Sequence, residues 1–109
     1  IATIDLNGQQ IDGPTKDIMN LGDLKAKWEA FGWEVIVTEK GNDMATVVEG
    51  LEKAKSLLGK GKPVLNLLHT DMGHGVDFMT GTHKWHGVAP NDEQLENALG
   101  QLKETLGDY

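Results

Sequence analysis

No cysteine occurs anywhere in the 109 residues. Disulfides and thiolate metal sites are therefore excluded, and a cytoplasmic location is the simpler expectation. Nor does any apolar run approach the ~20 residues that a membrane helix needs. No signal-peptide pattern is visible either, so no membrane partner is expected. Positive charge is scarce: 10 Lys and Arg stand against 17 Asp and Glu, a formal net charge of −7. A phosphate-binding surface normally shows as a basic one, which argues against a nucleic-acid partner. The carboxylates read as solvated surface and carry no positive functional information.

What is present suits one compact domain. A chain of this size buries roughly 60–70 % of its unfolded surface, enough for a core without staples. The opening run Ile1-Ala-Thr-Ile4-Asp5-Leu6 is apolar and β-branched, with no initiator Met, polar tail or helix cap before it. Such a run belongs inside a sheet. A domain rarely begins in mid-strand, so the expectation is a fragment: residues 1–109 as the C-terminal part of a domain whose remainder lies upstream.

Elements alternate along the chain. Ile1 to Leu6 predicts a strand, followed by a Gly/Asn/Asp/Pro-rich loop from Asn7 to Thr15. Residues from about Leu21 to Phe31 predict a helix, with Leu24, Trp28 and Phe31 on one face, ended by Gly32. Trp33 to Thr38 predicts a strand. Gly41-Asn42-Asp43 predicts a turn that caps a helix from about Met44 to Leu58, buried along Val47, Leu51, Ala54 and Leu58. Gly59-Lys60-Gly61-Lys62 is a connector; a phosphate loop would need the order strand, loop, helix. Pro63 to His69 predicts an apolar strand covered on both faces. A long loop from Thr70 to Asn91 precedes a last helix, Asp92 to about Leu106, with Leu95, Ala98, Leu99 and Leu102 inward. This order implies an α/β fold with a parallel sheet and right-handed crossovers. Ligands in such sheets sit at the carboxyl ends of the strands. The loops after the first and third strands are the suspects, the second by its length alone.

Two groups of residues can carry chemistry there. In N-G-Q-Q-I-D-G, Asn7 to Gly13, an Asn carbonyl at a strand end is followed by a glycine that can turn sharply. Hard cations such as Mg²⁺ accept that oxygen beside substrate phosphates. Asn-Gly also forms an ordinary Asx turn, which spacing alone favours. The histidines are His69, His74, His83 and His86, the last two within G-T-H-K-W-H-G. They can hydrogen-bond within the loop, or one can face a phosphate or a substrate hydroxyl. Zinc is a weak reading, without a thiolate or a helical H-E-x-x-H pattern. Trp28 and Trp33 read as core, while Trp85 can pack either way.

Taken together, Asn7 to Gly13 and the run G-H-G-V-D-F-M-T-G-T-H-K-W-H-G-V-A-P-N-D-E, Gly73 to Glu93, resemble the transketolase family. The nearest likeness is to the N-terminal subunit of split bacterial transketolases. A-F-G-W-E-V-I (Ala30 to Ile36), G-N-D (Gly41 to Asp43) and G-K-P (Gly61 to Pro63) stand where that family has similar runs, so the resemblance covers essentially the whole chain. It implies the three-layer thiamine-diphosphate-binding fold, here its C-terminal portion, with thiamine diphosphate and a divalent metal, Mg²⁺ or Ca²⁺. In the family's metal motif, Asn7 matches the closing Asn, a side-chain ligand, and Gln9 the residue that lends its main-chain carbonyl. His86 matches a histidine that contacts the cofactor's diphosphate and lies near the donor sugar, with a catalytic and substrate-binding part; His83 stands behind it.

The implied reaction moves a two-carbon ketol unit from a ketose phosphate to an aldose phosphate. The motif's opening Gly-Asp-Gly is expected upstream of Ile1, and the glutamate that activates the cofactor in a separate pyrimidine-binding subunit. The resemblance thus implies partners: sugar phosphates, the rest of the N-terminal subunit, and a C-terminal pyrimidine-binding subunit, in a homodimer or heterotetramer. This chain alone is not expected to turn over substrate. The alternatives are a deoxyxylulose-phosphate synthase, the alpha part of a 2-oxoacid dehydrogenase, a non-catalytic assembly module, or a zinc hydrolase using His83 and His86.

Overall fold

A computed structural model describes residues 1–103. Three parallel strands make the main sheet, β1 (Ala2–Leu6), β4 (Glu34–Thr38) and β5 (Val64–His69), in the order β1-β5-β4. The register sets Thr3 and Ile36 beside Asn66. Central β5 is the most apolar strand for a physical reason. It is covered on both faces, and Val64, Leu65, Asn66 and Leu67 are all buried.

Helices lie on both faces, as the α/β reading expects. Helix α3 (Met44–Ser56) packs on the face that carries Ile36, Thr38 and Asn66. Helix α2 (Leu24–Ala30) also packs on β4, and its Leu24 lines a cavity with Leu6, Val37 and Leu67 of the opposite face. Each start has a cap: Asp23 accepts from Ala26 N–H (2.9 Å) and Asp43 from Thr46 N–H (3.0 Å). Helix α4 (Asp92–Gln101) opens with a full capping box, Asn91 and Gln94 exchanging hydrogen bonds at 2.9 Å.

Several expectations need correction. Helix α2 begins three residues late, because Asn20 first closes a turn onto Gly22 N–H (2.8 Å). Phe31 is 82 % exposed, since the helix ends before it; Trp28 packs edge-on against Trp33 instead (4.8 Å). Helix α3 ends at Ser56 and faces the sheet through Val47, Gly50, Ala54 and Leu57. Leu51 and Leu58 of the expected stripe are exposed. The buried line follows small residues because the helix approaches closely: a Cβ on Gly50 would sit 2.5 Å from Thr38 Oγ1. In α4 only Ala98 is buried, and Leu99 is 62 % exposed. The end predicted near Leu106 lies outside the described residues. The radius of gyration is 16.7 Å, against about 13 Å for a compact chain of 100 residues. Among the described residues, apolar side chains on α3 (Met44, Val48, Leu51) and on α4 (Leu95, Leu99) are exposed.

All three strands point the same way, so Leu6, Thr38 and His69 end at one edge. There Gly41 N–H donates to His69 C=O (2.7 Å). A Cβ on Gly41 would lie 2.5 Å from that carbonyl oxygen and 2.7 Å from the Leu68 and Thr70 side chains. Gly41→Ala is expected to destabilise the complete protein by about 1–3 kcal/mol, the usual overpacking cost. Urea denaturation measures it.

The cap of α3 gives a pH-dependent prediction. The Thr46 hydroxyl, and then its N–H, hold the Asp43 carboxyl below its ordinary value. A depressed folded value means that this contribution is present above the unfolded pKa of about 3.9 and is lost as pH falls below it. Asp43→Asn keeps an acceptor oxygen and should flatten that acid limb in unfolding measured against pH.

Candidate cation and phosphate site at the sheet edge

The chain leaves β1 through Asn7 and Gly8. Gly8 has φ +71°, the left-handed region that favours glycine. The turn it permits lets Asn7 Oδ1 accept from Gln9 N–H at 2.9 Å. The Gly/Asn/Asp/Pro-rich loop expected from Asn7 to Thr15 contains regular structure: strands β2 (Gln9–Gln10) and β3 (Gly13–Pro14) pair as an antiparallel hairpin, and a single helical turn, α1 (Thr15–Ile18), follows. Thr15 N–H donates to Gly8 C=O (2.9 Å). Pro14 has no N–H to give. By the alternation of antiparallel pairs, Gln9 therefore turns both of its backbone polar groups out of the hairpin. Its N–H meets Asn7 Oδ1, and its carbonyl leaves on the same side. An amide oxygen has two lone pairs, so Asn7 Oδ1 keeps one for another partner. Two neutral oxygens, one side-chain and one main-chain, share one edge of the hairpin.

The second suspect loop is built as a scaffold. Asp71 N–H donates to Asn42 Oδ1 (2.7 Å), and Asn42 Nδ2 to Asp71 C=O (3.4 Å). The Thr70 hydroxyl donates to the Asp5 carboxylate, tying the loop to β1. Thr80 Oγ1 donates to Gly73 C=O (2.8 Å). Asp77 and Gln101 exchange two hydrogen bonds of 2.8 Å, so α4 holds the loop's middle. Trp85 settles its open question: its indole N–H donates to Phe78 C=O (2.9 Å) and the rings meet edge-on at 5.4 Å. Trp85 is a strut.

Thr82 caps a short 3-10 turn over His83–Trp85, and His86 closes it by donating its N–H to His83 C=O (2.9 Å). His83 is half-buried and His86 exposed. Strand β3 packs against this turn, so the Asn7 hairpin and the His83–His86 turn are neighbours. His69 and His74 belong elsewhere. They line a cavity of about 360 Å³ with Lys40, Asn42, Asp43 and Asp71. His69 also lines a cavity of about 270 Å³ with Leu6, Leu21 and Leu24. Neither cavity is lined by Asn7, Gln9, His83 or His86. Among the described residues no three His, Asp or Glu groups converge as a metal cluster, so the geometry lends the zinc reading no support. Sequence reasoning missed the hairpin, although Asp12-Gly13 is a turn signal. It also missed the Asn42–Asp71 clasp, which joins residues 29 apart.

A parallel α/β sheet with its polar loops gathered at the carboxyl edge defines the class: a ligand-binding domain of the open, three-layer kind. Residues 1–107 match the transketolase family's thiamine diphosphate binding domain, and the chain belongs to that family. Among its relatives is an apulose-4-phosphate transketolase subunit from Phocaeicola vulgatus, 36 % identical over 97 % of this chain and 37 % of the relative. Its namesake from Actinobacillus succinogenes is 41 % identical over 92 % and 35 %. A solved transketolase from Pichia stipitis, in complex with sedoheptulose-7-phosphate, superimposes with a TM-score of 0.78 and 25 % identity, covering 90 % of this chain and 14 % of that one. The chain thus spans about a third of the length of the two bacterial relatives.

Proposed function

We propose that this chain is part of a transketolase that moves a two-carbon ketol unit from a ketose phosphate to an aldose phosphate. The observation that carries this reading is the shared edge of Asn7 Oδ1 and the Gln9 carbonyl, beside the His83–His86 turn. The donor set fits a hard divalent cation, Mg²⁺ or Ca²⁺, which takes carbonyl oxygens and phosphates together. Both oxygens are neutral, so an acidic ligand and the diphosphate must complete the shell. Thiamine diphosphate, when bound, supplies the carbanion chemistry of the ketol unit. The protein's contribution is placement. Asn7 and Gln9 anchor the cation that neutralises the diphosphate, and His86 donates to a phosphate oxygen or steadies a donor hydroxyl, with His83 behind it.

The exposed apolar residues of α3 and α4, among them Val48, Leu51, Leu95 and Leu99, support the rest of the assembly as a surface that other parts of the protein cover. In this reading it packs against the remainder of the N-terminal subunit, of which residues 1–109 form the C-terminal part. A pyrimidine-binding subunit completes the site, in a homodimer or heterotetramer; the two bacterial relatives, each named as one subunit of a transketolase, agree with that. The test is an assay of the complete enzyme with a ketose phosphate donor and an aldose phosphate acceptor. Ketol transfer that requires both thiamine diphosphate and a divalent cation is expected. Transfer indifferent to either one, or none with any sugar phosphate pair, refutes the reading.

A further inference from the structure

Helix α4 follows the loop that carries His83 and His86, yet its last turn reaches back into that loop. Gln101 Oε1 accepts from Asp77 N–H, and Gln101 Nε2 donates to Asp77 Oδ1, both at 2.8 Å. The amide is aimed from its own helix, because Nε2 also donates to Asn97 Oδ1 (2.6 Å) one turn earlier. Leu102 adds a second hold: a Cβ on Gly75 would lie 2.9 Å from Leu102 Cδ2. Gly75 and Asp77, on either side of buried Val76, are thus fastened to one helix end.

From Asp77 the fastening runs on to the histidine turn. Asp77 Oδ1 accepts from Phe78 N–H (2.6 Å) as well as from Gln101, which fixes the direction of that peptide. Phe78 then meets Trp85 twice. Its C=O accepts from the indole N–H (2.9 Å), and the two rings lie edge-on at 5.4 Å. Trp85 is followed directly by His86, which is exposed, so the place of its ring depends on the backbone that carries it. We propose that Gln101 is a positioning residue for His86, acting through Asp77, Phe78 and Trp85 to set where the His83–His86 turn stands beside the Asn7 hairpin; this rests on the role of His86 proposed above. A misplacement of about 1 Å, caused far from the chemistry, can cost about 10²-fold in rate. The bonds between Gln101 and Asp77 join exposed groups, so losing them should loosen the loop and leave the domain folded.

A double-mutant cycle in the complete enzyme separates positioning from mere support, with kcat/KM for a ketose phosphate donor as the readout. Gln101→Leu keeps a good helix former and removes both bonds to Asp77. It should lower kcat/KM by about 10–100-fold. In a His86→Ala background the same substitution should change kcat/KM little, because the group it positions is already gone; residues that act through one another depart from additivity in this way. A residue that only stabilises the domain would lower both backgrounds by the same factor. An unchanged kcat/KM for Gln101→Leu overturns the proposal, and so does an equal loss in the two backgrounds. Circular dichroism checks folding; if Gln101→Leu does not fold, Asp77→Ala takes its place in the cycle and decides. If His86→Ala is impaired while Gln101→Leu is not, only the positioning role fails. If His86→Ala is itself fully active, the role of His86 fails and the proposal falls with it.

Discussion

His86→Ala in the complete enzyme is expected to lower kcat/KM by about 10²–10⁴-fold, the usual weight of a positioned proton donor or acceptor. The residue closes the 3-10 turn with its backbone, through the bond to His83 C=O, and leaves its exposed ring free of that structural duty. Ala keeps the backbone bond and removes only the ring. The loss should therefore appear in turnover or in the donor KM, with thermal stability nearly unchanged. Steady-state kinetics with a ketose phosphate donor measures it. A variant with full activity would remove His86 from the site. One that melts early would instead assign it to the scaffold beside Trp85.

The second large effect belongs to Asn7. Asn7→Ala removes an oxygen that, in the proposed site, faces a divalent cation. If that contact weighs as much as a hydrogen bond to a charged group, about 1.5–3 kcal/mol, thiamine diphosphate affinity at limiting metal falls roughly 10–150-fold. If the cation and the diphosphate bind as one unit, as proposed, excess metal should recover part of the loss. Asn7 also closes the turn onto Gln9 N–H (2.9 Å), so the same substitution loosens the hairpin. Asn7→Asp separates the two effects, because it keeps both the turn acceptor and an oxygen for the metal. Its cofactor affinity should stay near that of the unchanged protein. Equal weakening in both variants would point to the amide group rather than to oxygen ligation.

Much of the fold is legible because it rests on period and punctuation. The apolar run of β5 signals a strand covered on both faces, and Val64 to Leu67 are buried as that implies. Asp43 and Asn91 mark helix starts through side chains that accept from the third residue on. Helix faces are less legible. Apolarity points to Leu51 and Leu58, yet the close approach at Gly50 selects the line of Gly50 and Ala54. Small residues carry no hydrophobic signal but set how near a helix can come. Leu95 and Leu99 are exposed among the described residues, whereas Leu102 lies close over Gly75, a distinction that periodicity cannot make.

The site divides in the same way. Asn-Gly after a strand marks the turn that the structure contains, and the Asx bond and the oxygen edge prove compatible. The direction of the Gln9 carbonyl was not legible. It follows from Pro14 lacking a donor and Thr15 bonding Gly8, which needs the hairpin register. The Trp85 strut and the Asn42–Asp71 clasp join residues through the folded loop, beyond the reach of local patterns. The nearness of the Asn7 hairpin to the His83–His86 turn, residues far apart in the chain, likewise emerges only on folding.

A crystal structure of the complete enzyme with thiamine diphosphate and Mg²⁺ tests the central claim most directly. The cation is predicted to lie about 2.0–2.1 Å from both Asn7 Oδ1 and the Gln9 main-chain oxygen. A cation bridging the diphosphate without either oxygen in its shell would contradict it.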